Sequence, residues 1–315
     1  MAHVLLMALA PVFFVMALGY AAGRWRALDN HHVSGLNSLV MNFAVPASLF
    51  AATASAPRSE MLAQAPLIGI LAADMLIVYV LWYLCLTRFA RASKAEASLQ
   101  ALTVAFPNLA GVGLPIVSAL LGPSHTVPVA VGLATGSILL SPLTLILLEL
   151  SSGKENQEGG VSTARIGLAI WHALTKPVVL APVLGILLSL FGLNLDSVVV
   201  ASLNLIGQAA GGVALFLTGL ILSAQPFRPD WKVFGATWAS DVIRPLLAGA
   251  LVYLFPVPLE VGRVAILLAA VPSGFFGILF AESYQIRSPE IGSMVIASTL
   301  FSSLSLAITI AKFFP

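Results

Sequence analysis

The amino-acid sequence predicts an all-α membrane protein of ten transmembrane helices, arranged as two five-helix repeats with the second inverted relative to the first. Three observations carry that expectation. The chain is 59% hydrophobic and 9% charged, with a mean hydropathy of +1.00, whereas about a quarter of the residues of a soluble domain are charged. Apolar stretches of about 18 residues or more, long enough to cross a hydrocarbon core, recur from end to end with no soluble domain between them. The two halves also echo each other at a nearly constant offset.

The stretches begin near Val4, Val33, Ala65, Ala97, Val127, Pro177, Val198, Val233, Val261 and Ile291. Arg24 and Arg26 follow the first stretch instead of preceding it, so a retained first helix is expected and not a signal peptide. In the second, Asn42, Pro46 and Ser48 (NFAVPAS) form a small polar break. The third holds Asp74 and the lone cysteine, Cys85, so neither an internal disulfide nor a thiolate metal site is possible.

The fourth stretch contains FPNLAGVGLPIVSALLG, Phe106 to Gly122, with the apolarity of a span and the punctuation of a broken one. Pro107 and Pro115 each remove a backbone donor and clash with the preceding turn, and Gly111 and Gly113 weaken the helix between them. Unwound backbone inside a bilayer is tolerated only where it is buried in protein or faces a watery cavity. The break is therefore read as a mid-membrane binding site of the kind that discontinuous helices build in secondary transporters. Ser141-Pro142 gives the fifth span a similar notch.

The one long polar connection, Ser151 to Thr163, has no apolar periodicity. It divides the chain into a first repeat, 1–150, a cytoplasmic linker, 151–163, and a second repeat, 164–315. Across it, PVFFVMALG from Pro11 to Gly19 is echoed by PVVLAPVLG from Pro177 to Gly185, an offset of 166 (177 less 11). The same offset carries Asn42 onto Gln208, Pro46 onto Gly212 and Leu49-Phe50 onto Leu215-Phe216; 167 carries Asp74 onto Asp241, and 165 carries Pro107-Asn108 onto Pro272-Ser273. Five spans per half, an odd number, turn the second copy upside down. The first break then has its mate in VPSGFFG, Val271 to Gly277.

Ten spans place Arg24, Arg26, Arg88, Arg91, Lys94, Lys154, Arg165, Arg228, Lys232 and Arg287 on one face of the membrane, and Arg58, Arg263 and Lys312 on the other. The richer face is expected to be cytoplasmic, which puts both termini on the opposite side. Arg165 to Lys176, ending HALTK, reads as an interfacial lead-in to the sixth span. His3, His31, His32, His125 and His172 fall at expected helix ends or loops, which argues against a buried histidine relay.

Within the spans the ionisable residues are few: Asp74 in the third, Asp241 and Arg244 in the eighth, and Glu149 and Glu282 nearer the cytoplasmic ends. Each costs about 2.5 to 3.5 kcal/mol at a helix centre and so needs a partner or water. Asp241 and Arg244, three residues apart on one helix face, are placed to pair. Two readings stay open: a structural ion pair, or Arg244 attracting an anionic substrate while Asp74 or Asp241 carries a proton. Asn108 and Ser273 follow the two breaking prolines, where freed backbone, a short polar side chain and a half-helix N-terminus can hold a carboxylate. Asn42, Ser48, Ser141, Gln208 and Gly211-Gly212 are weaker candidates, since small and polar residues also mediate helix packing in lipid.

These residues resemble the auxin efflux carrier family, which includes plant auxin carriers and bacterial permeases, some called malonate transporters. PNLAGVGLPIVSALLG, Pro107 to Gly122, is similar to that family's crossing helix; GVALFLTGLILSAQP, Gly212 to Pro226, to its seventh helix; and PSGFFGILFAESYQ, Pro272 to Gln285, to its ninth. The resemblance implies ten helices in two inverted repeats with crossing broken helices 4 and 9, a fold related to bile-acid sodium symporters. It also implies a scaffold of helices 1, 2, 6 and 7 beside a transport domain of helices 3, 4, 5, 8, 9 and 10, with substrate beside the crossing. Asn108 matches the family's asparagine after the first crossing proline and Pro272 its second crossing proline, whereas Ser273 stands where plant carriers often have a longer polar residue. The plant carriers' very long central loop is missing, which suggests a compact permease of the bacterial inner membrane, with both termini periplasmic.

The expected function is secondary active or facilitative transport of a small organic anion, a carboxylate, by alternating access as the transport domain rocks or slides like an elevator. Asn108, the backbone at Pro107 and Pro272, and Ser273 would bind it, with Arg244 attracting it from further away. Sodium coupling is the weaker variant, as no acidic ligand cluster marks the crossing. No cofactor, metal or nucleic acid is expected, and a homodimer would form through the scaffold helices. An intramembrane aspartyl protease, the rival from another class, needs two such aspartates; LAADM around Asp74 and WASDV around Asp241 lack the settings of those enzymes. No G-x-x-x-x-G-K-[ST] loop supports direct ATP coupling.

Overall fold

Proline placement explains most of the interruptions in an otherwise helical chain. The structure, a computed structural model, describes residues 2–28, 30–122, 125–152, 167–168, 170–171, 174–225, 227–286 and 288–314. The expectations on His172, Arg165, Arg287 and all but the first two residues of the linker lie outside them.

In the first half, α1 (Ala2–Arg24) is followed by α2 (Asn30–Leu39), a π-helical turn π1 (Val40–Ala44) and α3 (Val45–Ser55), which run on as one rod. Then come α4 (Arg58–Ala63), α5 (Ala65–Arg88), α6 (Lys94–Ala105), π2 (Leu109–Gly113), α7 (Leu114–Leu121) and α8 (Val127–Ser152). The second half holds α9 (Pro177–Leu190), α10 (Ser197–Gly207), α11 (Ala209–Ala224), α12 (Trp231–Trp238), π3 (Ala239–Ile243) and α13 (Arg244–Leu254). It ends with α14 (Leu259–Ala270), α15 (Phe276–Ser283) and α16 (Pro289–Phe313).

Among the described residues, five stretches are long and apolar enough to cross a membrane: Val33–Ser55, Arg58–Arg88, Val127–Ser151, Ser197–Ala224 and Glu290–Phe313. Leu9–Arg24, Leu109–Leu121 and Pro177–Leu190 are shorter apolar helices. The fourth and ninth stretches read from the sequence are not continuous helices but pairs of segments divided at Pro107 and Pro272. Large apolar side chains such as Phe14, Phe43, Leu81, Leu205 and Leu246 face outward, as lipid contact requires.

Each π segment is followed by a proline two residues beyond its end: Pro46, Pro115 and Pro245. Proline has no N–H to give to the carbonyl four residues back, and its ring crowds that carbonyl. The residue before each proline donates instead to the carbonyl five back, Val45 to Val40, Leu114 to Leu109 and Arg244 to Ala239. The wide turn makes room for the ring without breaking the rod.

Glycines set two close helix contacts. A Cβ on Gly19 of α1 would lie 2.0 Å from the Phe216 carbonyl oxygen of α11, and one on Gly219 of α11 would lie 1.9 Å from the Met16 carbonyl oxygen of α1. On the other side α9 packs on α3, where a Cβ on Gly185 would lie 2.0 Å from Thr53 Oγ1 and 3.0 Å from the Phe50 carbonyl oxygen. Small residues at such contacts let helix backbones approach without side-chain obstruction.

Candidate functional site

α6 stops at Ala105 and α14 at Ala270 because Pro107 and Pro272 leave the residues before them extended. The two extended pieces meet. Pro107 and Ser273 pair as an antiparallel bridge in which the Asn108 N–H donates to the Pro272 carbonyl and the Gly274 N–H to the Phe106 carbonyl, both at 2.8 Å. Backbone groups freed by the breaks thus satisfy each other, as a non-aqueous interior requires. Only glycine fits at 274, where a Cβ would lie 2.4 Å from the Phe106 carbonyl oxygen. Beside the bridge the Phe106 ring stacks on Phe276, centroids 4.8 Å apart.

The bridge joins the two breaks in a register other than that of their prolines. Its local two-fold equates Pro107 with Ser273 and Asn108 with Gly274. That is the offset of 166 (273 less 107) found elsewhere in the chain, not the 165 that superposes the two prolines. Asn108 and Ser273 are therefore neighbours across the crossing that the bridge's own two-fold does not exchange.

Asn108 is 3% exposed. Its Oδ1 accepts the Gly111 N–H at 3.0 Å and caps π2, while its Nδ2 has no partner. With the carbonyl side of the amide occupied, what remains is a donor. The Asn108 amide and the Thr218 hydroxyl of α11 both border Gly111, since a Cβ there would lie within 3 Å of either. Ser273 is equally buried, and its Oγ is also unpartnered.

Arg244 is fully buried. Its Nε donates to the Ala269 carbonyl at 2.8 Å, Nη1 to the Val104 carbonyl at 2.6 Å, and Nη2 to the Val271 carbonyl. These are carbonyls left over at the C-terminal ends of α6 and α14, where helices carry unsatisfied acceptors and partial negative charge. The expected pair with Asp241 does not form. Asp241 Oδ1 accepts instead from the Ser298 hydroxyl at 2.9 Å, and among the described residues its Oδ2 and both carboxylate oxygens of Asp74 have no partner. Arg244 still acts on both carboxylates through its charge. Ser298, on α16, was not singled out from the sequence; the only signal was a hydroxyl-rich run, ASTLFSSLS, in an apolar span.

Two cavities, each of about 710 Å³, lie at opposite ends of the rod formed by α2, π1 and α3. One is bordered by Ser48 and Ser55 of that rod, Pro115 and Ser118 of α7, Asn204 of α10 and Gln208. The other is bordered by Ser34 and Asn37 at the start of the rod, Gln225 after α11, and Ile278 and Ala281 of α15. Among the described residues, Glu60 is the only charged side chain on either lining. Of the weaker candidates, Ser48 and Gln208 therefore reach a cavity. Asn42 does not: it faces outward and donates to Ser38 Oγ at 3.0 Å. Ser141 is buried within α8 and borders neither.

At the helix ends, the ammonium of Lys176 sits 5.3 Å from the centre of the Phe280 ring, and burial lowers its pKa. The Tyr284 hydroxyl donates to Glu149 Oε1 at 3.2 Å; burial, with the nearby carboxylate, pushes its pKa up to about 12.

Comparison with known proteins agrees with this arrangement. The family described as "Membrane transport protein" matches residues 4–310. The uncharacterized transporter YfdV of Escherichia coli (strain K12) is 30% identical over 288 residues, 88% of each chain. Auxin efflux carrier component 8 of Arabidopsis thaliana is 24% identical, covering 98% of this chain and 96% of that one. A protein named as a malonate transporter in Rhizobium meliloti (strain 1021) is 22% identical over 93% of this chain and 90% of that one. Matched along nearly its whole length, the chain belongs to the membrane transport protein family, that of the auxin efflux carriers.

Proposed function

We propose that this membrane transporter moves a small organic anion, a carboxylate, by alternating access between the two cavities, as a secondary active or facilitative permease of the bacterial inner membrane. The observation that carries the reading is the crossing. There a buried amide, Asn108 Nδ2, is left with only protons to donate, and the Ser273 hydroxyl on the other strand of the bridge is likewise unpartnered among the described residues. A group that accepts hydrogen bonds suits this site; among the described residues no side-chain cation lines either cavity. Positive field comes instead from the N-terminus of π2 and α7. In this reading Arg244 holds the crossing in shape and does not touch substrate.

The proposed architecture is two inverted five-helix repeats, 1–150 and 164–315, with both termini periplasmic. The offset of 166 supports it at three places: it relates Gly19 to Gly185, Phe216 to Phe50 in the contacts those glycines make, and Pro107 to Ser273 in the bridge. Asp74 and Asp241, buried without a salt bridge, are the proposed proton carriers. The relatives' names supply malonate and indole-3-acetate as first ligands.

The test is thermal stabilisation of the purified protein by a panel of carboxylates, since a ligand that binds only the folded state raises the melting temperature with its occupancy. One acid should stabilise the native protein and lose that effect in Asn108→Ala. Stabilisation by neutral or cationic compounds alone would remove the anion assignment. Uptake whose pH dependence survives unchanged in both Asp74→Asn and Asp241→Asn would remove proton coupling.

A further inference from the structure

One side chain joins the Asp241 carboxylate to the crossing. Ser298 is fully buried in α16. Its oxygen accepts the Ser273 N–H at 2.8 Å and the Ser240 hydroxyl at 3.2 Å, and its own proton goes to Asp241 Oδ1 at 2.9 Å. A hydroxyl has one proton and two lone pairs, so Ser298 is saturated. We propose that Ser298 is a positioning residue that ties Asp241 to the second strand of the crossing, so that the charge on Asp241 sets how firmly Ser273 is held. The coupling deepens the reading of Asp241 as a proton carrier and rests on it for its use in transport.

The argument is one of hydrogen-bond capacity. An ionised Asp241 draws the Ser298 proton to itself and leaves both lone pairs of that oxygen for Ser273 and Ser240. A proton placed on Oδ1 reverses the first bond, and Ser298 must then release one of its two donors. A proton placed on Oδ2 leaves a neutral and weaker acceptor at Oδ1, since charge-assisted bonds are about twice as strong. Ser240 has a second acceptor within reach, the Thr237 carbonyl at 3.2 Å. The Ser273 N–H has no alternative, because its strand is already committed to Asn108 and Phe106 through Pro272 and Gly274. Ser240 is therefore the donor released, while the Ser273 N–H stays on a Ser298 oxygen that no longer gives its proton to a carboxylate and so accepts less strongly, which loosens its hold.

The first half lacks this link. The offset of 166 carries Ser298 onto Gly132, whose absent side chain would meet Leu109, Leu71 and Leu268. Accordingly neither oxygen of Asp74 is bonded. Among the described residues the charges that face Asp241 are Arg244, three residues along, and Arg244's other neighbour Asp74 on α5. On the elements packed against π3, Asp230 capping α12 and Lys232 of α12, Glu260 and Arg263 of α14, Glu290 and Lys312 of α16 and Lys94 and Glu96 of α6 all stand toward helix ends.

The experiment is amide hydrogen exchange of the full chain in lipid nanodiscs, following the peptide 271–277, where Ser273 supplies the reporting amide. Ser298→Ala should speed exchange at Ser273 about tenfold, the effect of losing one buried hydrogen bond, and Ser298→Thr, which keeps the hydroxyl, should restore most of the protection. Asp241→Asn never touches Ser273 yet should also speed its exchange, and the double variant Ser298→Ala with Asp241→Asn should be no faster than Ser298→Ala alone. Native-rate exchange in Asp241→Asn, or full additivity in the double variant, overturns the proposal. Should Ser298→Ala not fold, native protein and Asp241→Asn are compared across pH after correction for intrinsic exchange. Protection at Ser273 that changes with pH only in the native protein supports the coupling, and identical profiles overturn it. No substrate enters the measurement, so pH-independent uptake would sink the proton-carrier reading while leaving the exchange result to stand separately.

Discussion

Arg244 shows how far a residue's chemistry can be read before its surroundings are known. A buried arginine in a span had to have partners, and Asp241 stood three residues away as the obvious one. The structure supplies carbonyls instead, 140, 25 and 27 residues distant in the chain, and no local pattern encodes them. A planar fork serves three acceptors in different directions where an ammonium on a flexible stem cannot. Arg244→Lys should therefore destabilise the protein by on the order of 3 kcal/mol, comparable with breaking a buried charged network, and Arg244→Met by at least as much. Thermal denaturation in detergent measures both; a lysine variant as stable as the native protein would show that only the charge matters. Asn108 was legible because it follows a helix-breaking proline. That its carbonyl caps π2 and leaves only the donor free depends on the turn that forms there.

At the scale of elements, the breaks at Pro107 and Pro272 were visible because proline and glycine punctuate an apolar run. Their register was not. Two prolines invite superposition at 165, whereas the bridge pairs Pro107 with Ser273, and only three-dimensional pairing reveals the slip of one residue. Likewise, Pro46 and Pro115 marked interruptions without saying that each, like Pro245, becomes a wide turn instead of a kink. The glycine contacts between α1 and α11 give a test at this scale. Gly219→Ala puts a methyl 1.9 Å from the Met16 carbonyl oxygen and should lower the melting temperature sharply. Gly69→Ala, on the outward face of α5 with no atom within 4 Å of the added carbon, should be neutral or stabilising by up to about 1 kcal/mol, as alanine is the better helix former. Equal effects would mean that helix propensity, not close approach, governs both sites.

For the whole molecule, composition was enough to give a membrane protein of many helices, since no other environment suits so few charges. The cavities were not legible, because each gathers residues from several distant helices. Their placement at opposite ends of one rod predicts opposite accessibility. In a Cys85→Ser background, Ser55→Cys should react with a membrane-impermeant maleimide from one side of sealed vesicles and Ala224→Cys from the other. Labelling of both from the same side would refute the two-ended arrangement. The grip of Arg244 on Val104 also has a consequence for biosynthesis. At roughly 5 to 20 residues per second, the ribosome needs on the order of ten seconds to make the 140 residues between them. Throughout that time the end of α6 sits in or near the bilayer with an acceptor that nothing yet covers. The first half should therefore be a client for insertion chaperones and membrane proteases until the second half arrives, and expressed alone it should be degraded.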